Sequence, residues 1–383
     1  MNRGRVMAAV AAMITVATAV LSAQAAPQRS YFALVTSAGV DQVTLLHFGP
    51  GGAAVDHRTY LSVMAEIAGP RALDITPDRR AYVVTTTRGA AFGAVIEAVI
   101  ADTVDRRLQQ PTDVLVGREA VGAAPTAVRV SHDGHYAWVT NFGTGSDVHT
   151  AGVAVIDLAL MLEAARITTC NHALGAAFSP DGAHHYSACL TDDALVDIDA
   201  RAMHVARYFT LAPGAERGAD HLEANPAAKP TCAPRAVSVS DDGSQLFVAC
   251  SASADVVVID VAHWTMVRRI AMGPGLSDVV VTHDGKLVIG ANRLDESVSI
   301  ADVATGHEVA RVPVSRRLPG GLAVTDDDRY LFVSSEGVGG EPGAVDVIDL
   351  ASQKPVASVD VGMQAGGVEF WHSVPARPAT ARP

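Results

Sequence analysis

The sequence predicts an all-β fold, a seven-bladed β-propeller of four-stranded antiparallel blades closed by N- and C-terminal strands that share one blade. Two recurring marks predict it. The first is a hairpin turn between two apolar, β-branched runs: Thr-Pro-Asp-Arg (76–79), Ser-His-Asp-Gly (131–134), Ser-Pro-Asp-Gly (179–182), Ser-Asp-Asp-Gly (240–243), Thr-His-Asp-Gly (282–285) and Thr-Asp-Asp-Asp (325–328). Ser/Thr-x-Asp-Gly suits a type I turn whose last residue enters the left-handed region, a three-residue hairpin with a bulge. The second mark is an apolar run after each turn that ends in Asp, at Asp102, Asp157, Asp199, Asp260, Asp302 and Asp349. From Asp242 to Asp284, and from Asp284 to Asp327, the period is just over forty residues. A repeat of that length holding four short strands is a propeller blade.

Taken in chain order, residues 1–25 precede the fold. Arg3 and Arg5 make a short basic start, residues 6–21 are apolar, and Ala23-Gln24-Ala25 offers a small-x-small cleavage site. This is the pattern of a cleaved secretory signal, so the chain is expected in the periplasm or secreted. Blades follow at about 70–118, 124–170, 172–212, 234–272, 276–314 and 319–362. Residues 31–36, 43–48 and 55–61 read as three strands with no Asp-Gly hairpin before them, and 366–371 as one innermost strand with none after. Three strands plus one complete the missing blade and remove the exposed edges of an open array. The expected organisation is a signal peptide (1–25), one propeller (26–374) and a disordered tail (375–383).

Composition agrees and excludes some partners. Of 383 residues 49% are hydrophobic, with 33 glycines, which suits many buried strands and tight turns. Lys and Arg number 29 against 41 Asp and Glu, a net charge of −12, with no basic run to meet phosphates. Nucleic acid is therefore not an expected ligand. No second apolar segment follows residue 21, so no membrane span is expected in the mature chain, which should be a monomer.

Ala137-Trp138-Val139-Thr140-Asn141 nearly spells the motif that names the YVTN repeat, and Phe247-Val248-Ala249-Cys250 and Leu331-Phe332-Val333-Ser334 occupy its place in other blades. The chain resembles the YVTN-repeat propellers, and the YncE-like exported group in particular, over about residues 30–372. The resemblance implies the fold and export, and no particular chemistry, because propellers bind, scaffold and catalyse alike.

Loop lengths point to one face. From turn Asp to strand-end Asp the interval is 18 residues in three blades, 24 in two and 22 in one. The extra residues fall between second and third strands, at 86–94, 141–152 and 335–343. A further insertion, 212–231, joins an outermost strand to the next innermost one. In an antiparallel blade both kinds of connection lie on the same face, where binding is usually built.

All four cysteines lie towards that face: Cys170 and Cys232 before innermost strands, Cys189 and Cys250 at the ends of second strands. In an exported protein an even count reads as disulfides, most simply Cys170–Cys189 and Cys232–Cys250. Plain hairpin register opposes this, since it sets Cys250 against Arg235 and Cys189 against Leu174. The alternative is a copper or zinc site that adds His172, with His149 or His221 from the loops.

Seven residues before each turn Asp stand Arg71, Thr126, Leu174, Arg235, Ser277 and Gly320, which should ring one mouth of the channel. Arg71 and Arg235 lie three blades apart. Two converging guanidiniums suit a carboxylate or phosphate, unless each pairs with Asp74, Asp278 or Glu336. No nucleophile elbow, phosphate loop, dinucleotide fingerprint or haem-attachment motif is present. For an enzyme of propeller-lactonase type, Glu336, Asn141, Asn292 and His172 are the candidates.

Two functions are thus expected in rank order. The first is a non-catalytic binding or scaffold protein that takes an unidentified protein or a small anionic ligand on the elaborated face, with Arg71, Arg235, Asn141, Glu336 and Asn292 as contacts. The second is a metal- or redox-dependent enzyme, lactonase- or oxidoreductase-like, using Cys170, His172, Cys189, Cys232 and Cys250.

Overall fold

The hairpin chemistry is realised at all six turns in the computed structural model, which describes residues 26–61, 69–88, 92–100, 113–143, 151–222 and 229–376. In each turn the Ser or Thr hydroxyl donates to the turn Asp, at 2.5–2.8 Å. The same oxygen accepts the N–H that opens the second strand, at 2.9–3.0 Å. The fourth turn residue is left-handed throughout: Gly in four turns, and Arg79 and Asp328 with φ of 59° and 54° in the others. The Asp that ends a third strand has its own task. Asp157, Asp199, Asp260, Asp302 and Asp349 each accept an N–H of the turn that follows, as from Leu160 at 3.0 Å and Ser352 at 2.7 Å.

Seven antiparallel sheets result, six of four strands and one of five. Blade 1 runs over 70–122, blade 2 over 125–167, blade 3 over 173–219, blade 4 over 234–271, blade 5 over 276–313 and blade 6 over 319–360. Blade 7 joins the ends as expected: its innermost strand, Ala365–Pro375, pairs with Arg29–Ser37, setting Val368 against Val35 and Glu369 against Leu34. The added strand of blade 3, Arg217–Ala219, lies within the 212–231 insertion and pairs with the outer strand His204–Thr210. The extra length at 86–94 continues the two strands past the ordinary hairpin end, pairing Thr86 with Ala94 and Arg88 with Phe92.

Blades pack face to face, so middle strands are buried on both sides. Gln245–Cys250 is buried from Leu246 onward, while the outer strand Thr265–Ala271 is mostly exposed. This is why the middle strands read as unbroken apolar runs. At the closing junction Leu34, Val43, Leu73, Tyr82 and Val84 form one core. Beside it a buried polar cluster joins blade 7 to blade 1: Asp113 accepts from Thr59 Oγ1 and Tyr82 Oη, both at 2.9 Å, and meets His57 Nε2 at 2.9 Å. Among the described residues no helix is long and apolar enough to cross a membrane. The expected signal peptide, 1–25, and residues 377–383 of the expected tail lie outside the described residues.

Candidate functional site at the channel mouth

Each of the six innermost strands that lead into a hairpin begins with a β-bulge. Pro234 pairs with Cys250 and Ala236 with the adjacent Ala249, so Arg235 is an extra residue without a partner. Thr126, Ser277 and Gly320 are extra in the same way, and blades 1 and 3 carry the additional residue within Arg71–Ala72 and Leu174–Gly175. A bulge breaks the ladder and re-aims a side chain. Hydroxyls on the second strands satisfy the displaced amides: Ala72 N–H donates to Thr85, Ala127 to Thr140 and Gly321 to Ser334, each at 3.1 Å. All six positions of the predicted ring line one cavity of about 840 Å³ along the channel.

The bulges also correct the cysteine register. Removing one residue from the count brings Cys250 opposite Pro234 and Cys189 opposite Ala173. Left-handed Ala233 and His172, with φ of 51° and 57°, then turn the entering chain back. Both expected disulfides form, Cys170–Cys189 and Cys232–Cys250, with Cα separations of 5.9 and 4.6 Å. All four sulfurs are therefore engaged, and the copper or zinc cluster drawn from them loses its thiolates. Among the described residues no group of His, Cys, Asp and Glu is arranged to hold a metal. His172 packs in a tilted arrangement on Phe142, with ring centroids 4.2 Å apart, and its Nδ1 meets Thr191 Oγ1 at 3.1 Å, outside the cavity lining. His149 lies outside the described residues.

Five arginines and five carboxylates line the cavity; Arg79 and Asp326 belong to hairpin turns, and the other eight fall into two groups. At the mouth Arg293 Nη2 holds Glu336 Oε1 at 2.8 Å. At the waist Arg129 reaches Glu369 at 2.8 Å and Asp74 at 4.0 Å, while its Nε–H donates to the Ala176 carbonyl at 2.9 Å. Burial opposes the Arg129 charge, but Glu369, Asp74 and Asp278 outweigh it and hold the guanidinium above its ordinary range. Burial pushes Glu369 up to about 7 and Asp278 up to about 6, and raises Asp74 as well. The carboxylates that might have neutralised Arg71 and Arg235 are thus committed to Arg129, to Arg293 or to backbone amides. Among the described residues neither Arg71 nor Arg235 has a side-chain hydrogen bond or ion pair. Arg235 is pushed below the usual arginine range by burial and by the neighbouring Arg293 charge.

Arg71, Arg235 and Glu336 therefore come together at one mouth, and Asn141 and Asn292 do not. Both asparagines are fully buried. Asn292 donates to Ser297 at 3.0 Å and Ser299 at 2.8 Å and accepts from Gly273 N–H at 3.0 Å, which fastens blade 5 internally. Asn141 donates to its own strand, at Val139. Of the four insertions only 335–343 supplies a described lining residue, Glu336. The described start of the 212–231 insertion, 212–222, turns outward, where Gly218 lies against Trp264 and Glu216 bonds Arg269 at 2.8 Å. Arg129, Glu369 and Arg293 escaped the sequence reading. Aligning residues four before the turn Asp would have set Asp74 beside Arg129. Arg293 sits in a minimal turn with no distinguishing mark.

A family model, the lactonase seven-bladed β-propeller, matches residues 116–338. Among solved structures the chain is similar to the periplasmic gluconolactonase PpgL of Pseudomonas aeruginosa, with 19% identity, TM-score 0.69, and coverage of 89% of this chain and 99% of that one. It is similar to a candidate 6-phosphogluconolactonase of Bacteroides uniformis, with 17% identity, TM-score 0.64 and coverage of 89% and 99%. It is also similar to hydrazine synthase of Kuenenia stuttgartiensis, with 23% identity, TM-score 0.60 and coverage of 80% and 91%. At these identities the structures show the shared fold. No curated protein matches the chain. The family match overturns the expectation of a non-catalytic binding or scaffold protein and favours its lactonase-like alternative. With more than half of its length matched, the chain belongs to the lactonase family of seven-bladed β-propellers.

Proposed function

We propose that the protein is an exported lactonase that hydrolyses a sugar-type lactone at the mouth bearing Arg71, Arg235 and Glu336. The observation that carries this reading is the pair of guanidiniums without a carboxylate beside an arginine-held glutamate, in a chain of this family. Opening a lactone builds negative charge on the carbonyl oxygen in the tetrahedral intermediate. Arg71 and Arg235 supply fixed donors for that charge and for an acidic group on the substrate. Glu336, oriented by Arg293, takes a proton from the attacking water. That water's oxygen bonds to the carbonyl carbon, the ring C–O bond breaks, and the ring oxygen leaves as an alcohol with the proton that Glu336 had taken, which restores the carboxylate. The product acid ionises at neutral pH and releases a proton.

Export is supported by the basic-apolar-small pattern of residues 1–25, by two disulfides, and by likeness to a periplasmic gluconolactonase. Disulfides persist in oxidising compartments. The YVTN-like strand at Ala137–Asn141 fits the exported group that the sequence resembles. The mature chain would then begin near Ala26.

Base titration at constant pH, corrected for spontaneous hydrolysis, tests the reading with D-glucono-1,5-lactone and its 6-phosphate. The wild type should accelerate hydrolysis, and Glu336→Gln should lower kcat about 100-fold with little change in KM, the scale of a lost general base. Absence of any acceleration with either lactone contradicts the reading.

A further inference from the structure

What each member of the bulge ring already does separates structural positions from available ones. Thr126 donates to the Ala173 carbonyl at 2.9 Å and Ser277 to the Pro319 carbonyl at 3.0 Å, so both hydroxyls tie neighbouring blades together. Leu174 is an apolar wall, and Arg71 and Arg235 are the mouth cations. Gly320 is the sixth member.

Three other glycines of the innermost strands are required by packing. A Cβ on Gly175 would stand 2.6 Å from Ala236 Cα, on Gly321 2.8 Å from the Gly366 carbonyl oxygen, and on Gly366 2.5 Å from that of Arg71. Gly320 differs. Its φ is outside the left-handed region, and the nearest atom to an added Cβ is Arg293 Nη1 at 3.8 Å. Neither backbone conformation nor packing calls for glycine there, and glycine weakens a strand. What the residue provides is space in the cavity, bordered by the Arg293–Glu336 pair.

We propose that the open lobe at Gly320 is the subsite for the hydroxylated substituents of the lactone, and that this position sets which ring decorations are accepted. This rests on the lactonase reading and deepens it. Guanidinium donors and carboxylate acceptors side by side match the mixed donor and acceptor character of sugar hydroxyls. An unsubstituted or alkyl-bearing ring would leave those groups without partners, which a site of this kind discriminates against.

The test measures kcat/KM for D-glucono-1,5-lactone and for δ-valerolactone, which has the same ring without hydroxyls, in the wild type, Gly320→Ala and Gly320→Val. The ratio of the two constants should fall at least about tenfold in Gly320→Val and by a smaller factor in Gly320→Ala. Thermal unfolding of each variant reports whether the fold survives, and Gly320→Ala carries the test if Gly320→Val does not fold. A ratio that stays within twofold of the wild type in a folded variant overturns the subsite. A wild type that hydrolyses neither lactone overturns the lactonase reading itself, and the subsite with it.

Discussion

Arg293 holds Glu336 of the next blade at 2.8 Å at the channel mouth, and that pairing leaves the mouth with uncompensated positive charge. Arg129 does the same at the waist, where it takes Glu369 and Asp74. A chain with a net charge of −12 thereby presents a cationic entrance to its own channel. Such an entrance attracts anionic ligands over a range set by ionic strength.

The waist carboxylates should make stability depend on pH in a definite direction. Glu369 and Asp278 are raised by burial, to about 7 and about 6, from 4.5 and 3.8. The folded chain therefore binds their protons more tightly than the unfolded chain does. Their contribution is full below the unfolded values and is lost as pH rises through about 7. The turn carboxylates Asp78, Asp133, Asp181 and Asp242 are lowered, chiefly by hydrogen bonds from their Ser or Thr, so their contribution is lost as pH falls below 3.8. Tm should be highest in weakly acidic buffer and fall between about pH 5 and pH 7.5. Glu369→Gln should flatten that upper limb, and an unaltered slope in the variant would contradict the assignment.

The disulfides should matter for the fold. Each closes a short loop, with sequence separations of 19 and 18 residues. Cys232→Ala/Cys250→Ala should lose about 2–4 kcal/mol in urea denaturation. Non-reducing peptide mapping should recover the 170–189 and 232–250 linkages, and free alkylatable thiols at these positions would refute them.

The chain ends should be needed together. Ala365–Pro375 supplies the innermost strand of blade 7, and Trp371 Nε1–H donates to the Arg79 carbonyl in blade 1 at 2.8 Å. A chain ending at residue 364 would leave the edge of Arg29–Ser37 open, the kind of edge that pairs with other chains. It should aggregate or lose cooperative unfolding. A monomer with an unchanged transition would contradict the closure.

The ring was legible because turn chemistry is local: Ser or Thr, Asp and Gly at fixed offsets do the same work in six places. The mouth was half legible. Arg71 and Arg235 could be placed by counting back from the turn Asp, because every innermost strand carries the same bulge. That bulge was itself invisible, which is why plain register set Cys250 against Arg235. Asn141 and Asn292 were misjudged because a polar residue at a strand end looks alike whether it faces a cavity or fastens a loop. Arg129 and Glu369 lie 240 residues apart, and only the closed ring brings them together.

The proposed function requires that catalysis occur at the mouth bearing Arg71 and Arg235. The most direct measurement is kcat/KM for D-glucono-1,5-lactone 6-phosphate in Arg71→Ala/Arg235→Ala, against a control altered in the hairpin turns at the other end of the innermost strands, where His132 and His283 line the channel, His132→Ala/His283→Ala. The arginine variant should lose at least about tenfold, mainly through KM, at near wild-type Tm, as two charge-assisted contacts require. The control should stay within about threefold, less than 1 kcal/mol. Equal losses in both, or none in the arginine variant, would place the chemistry elsewhere.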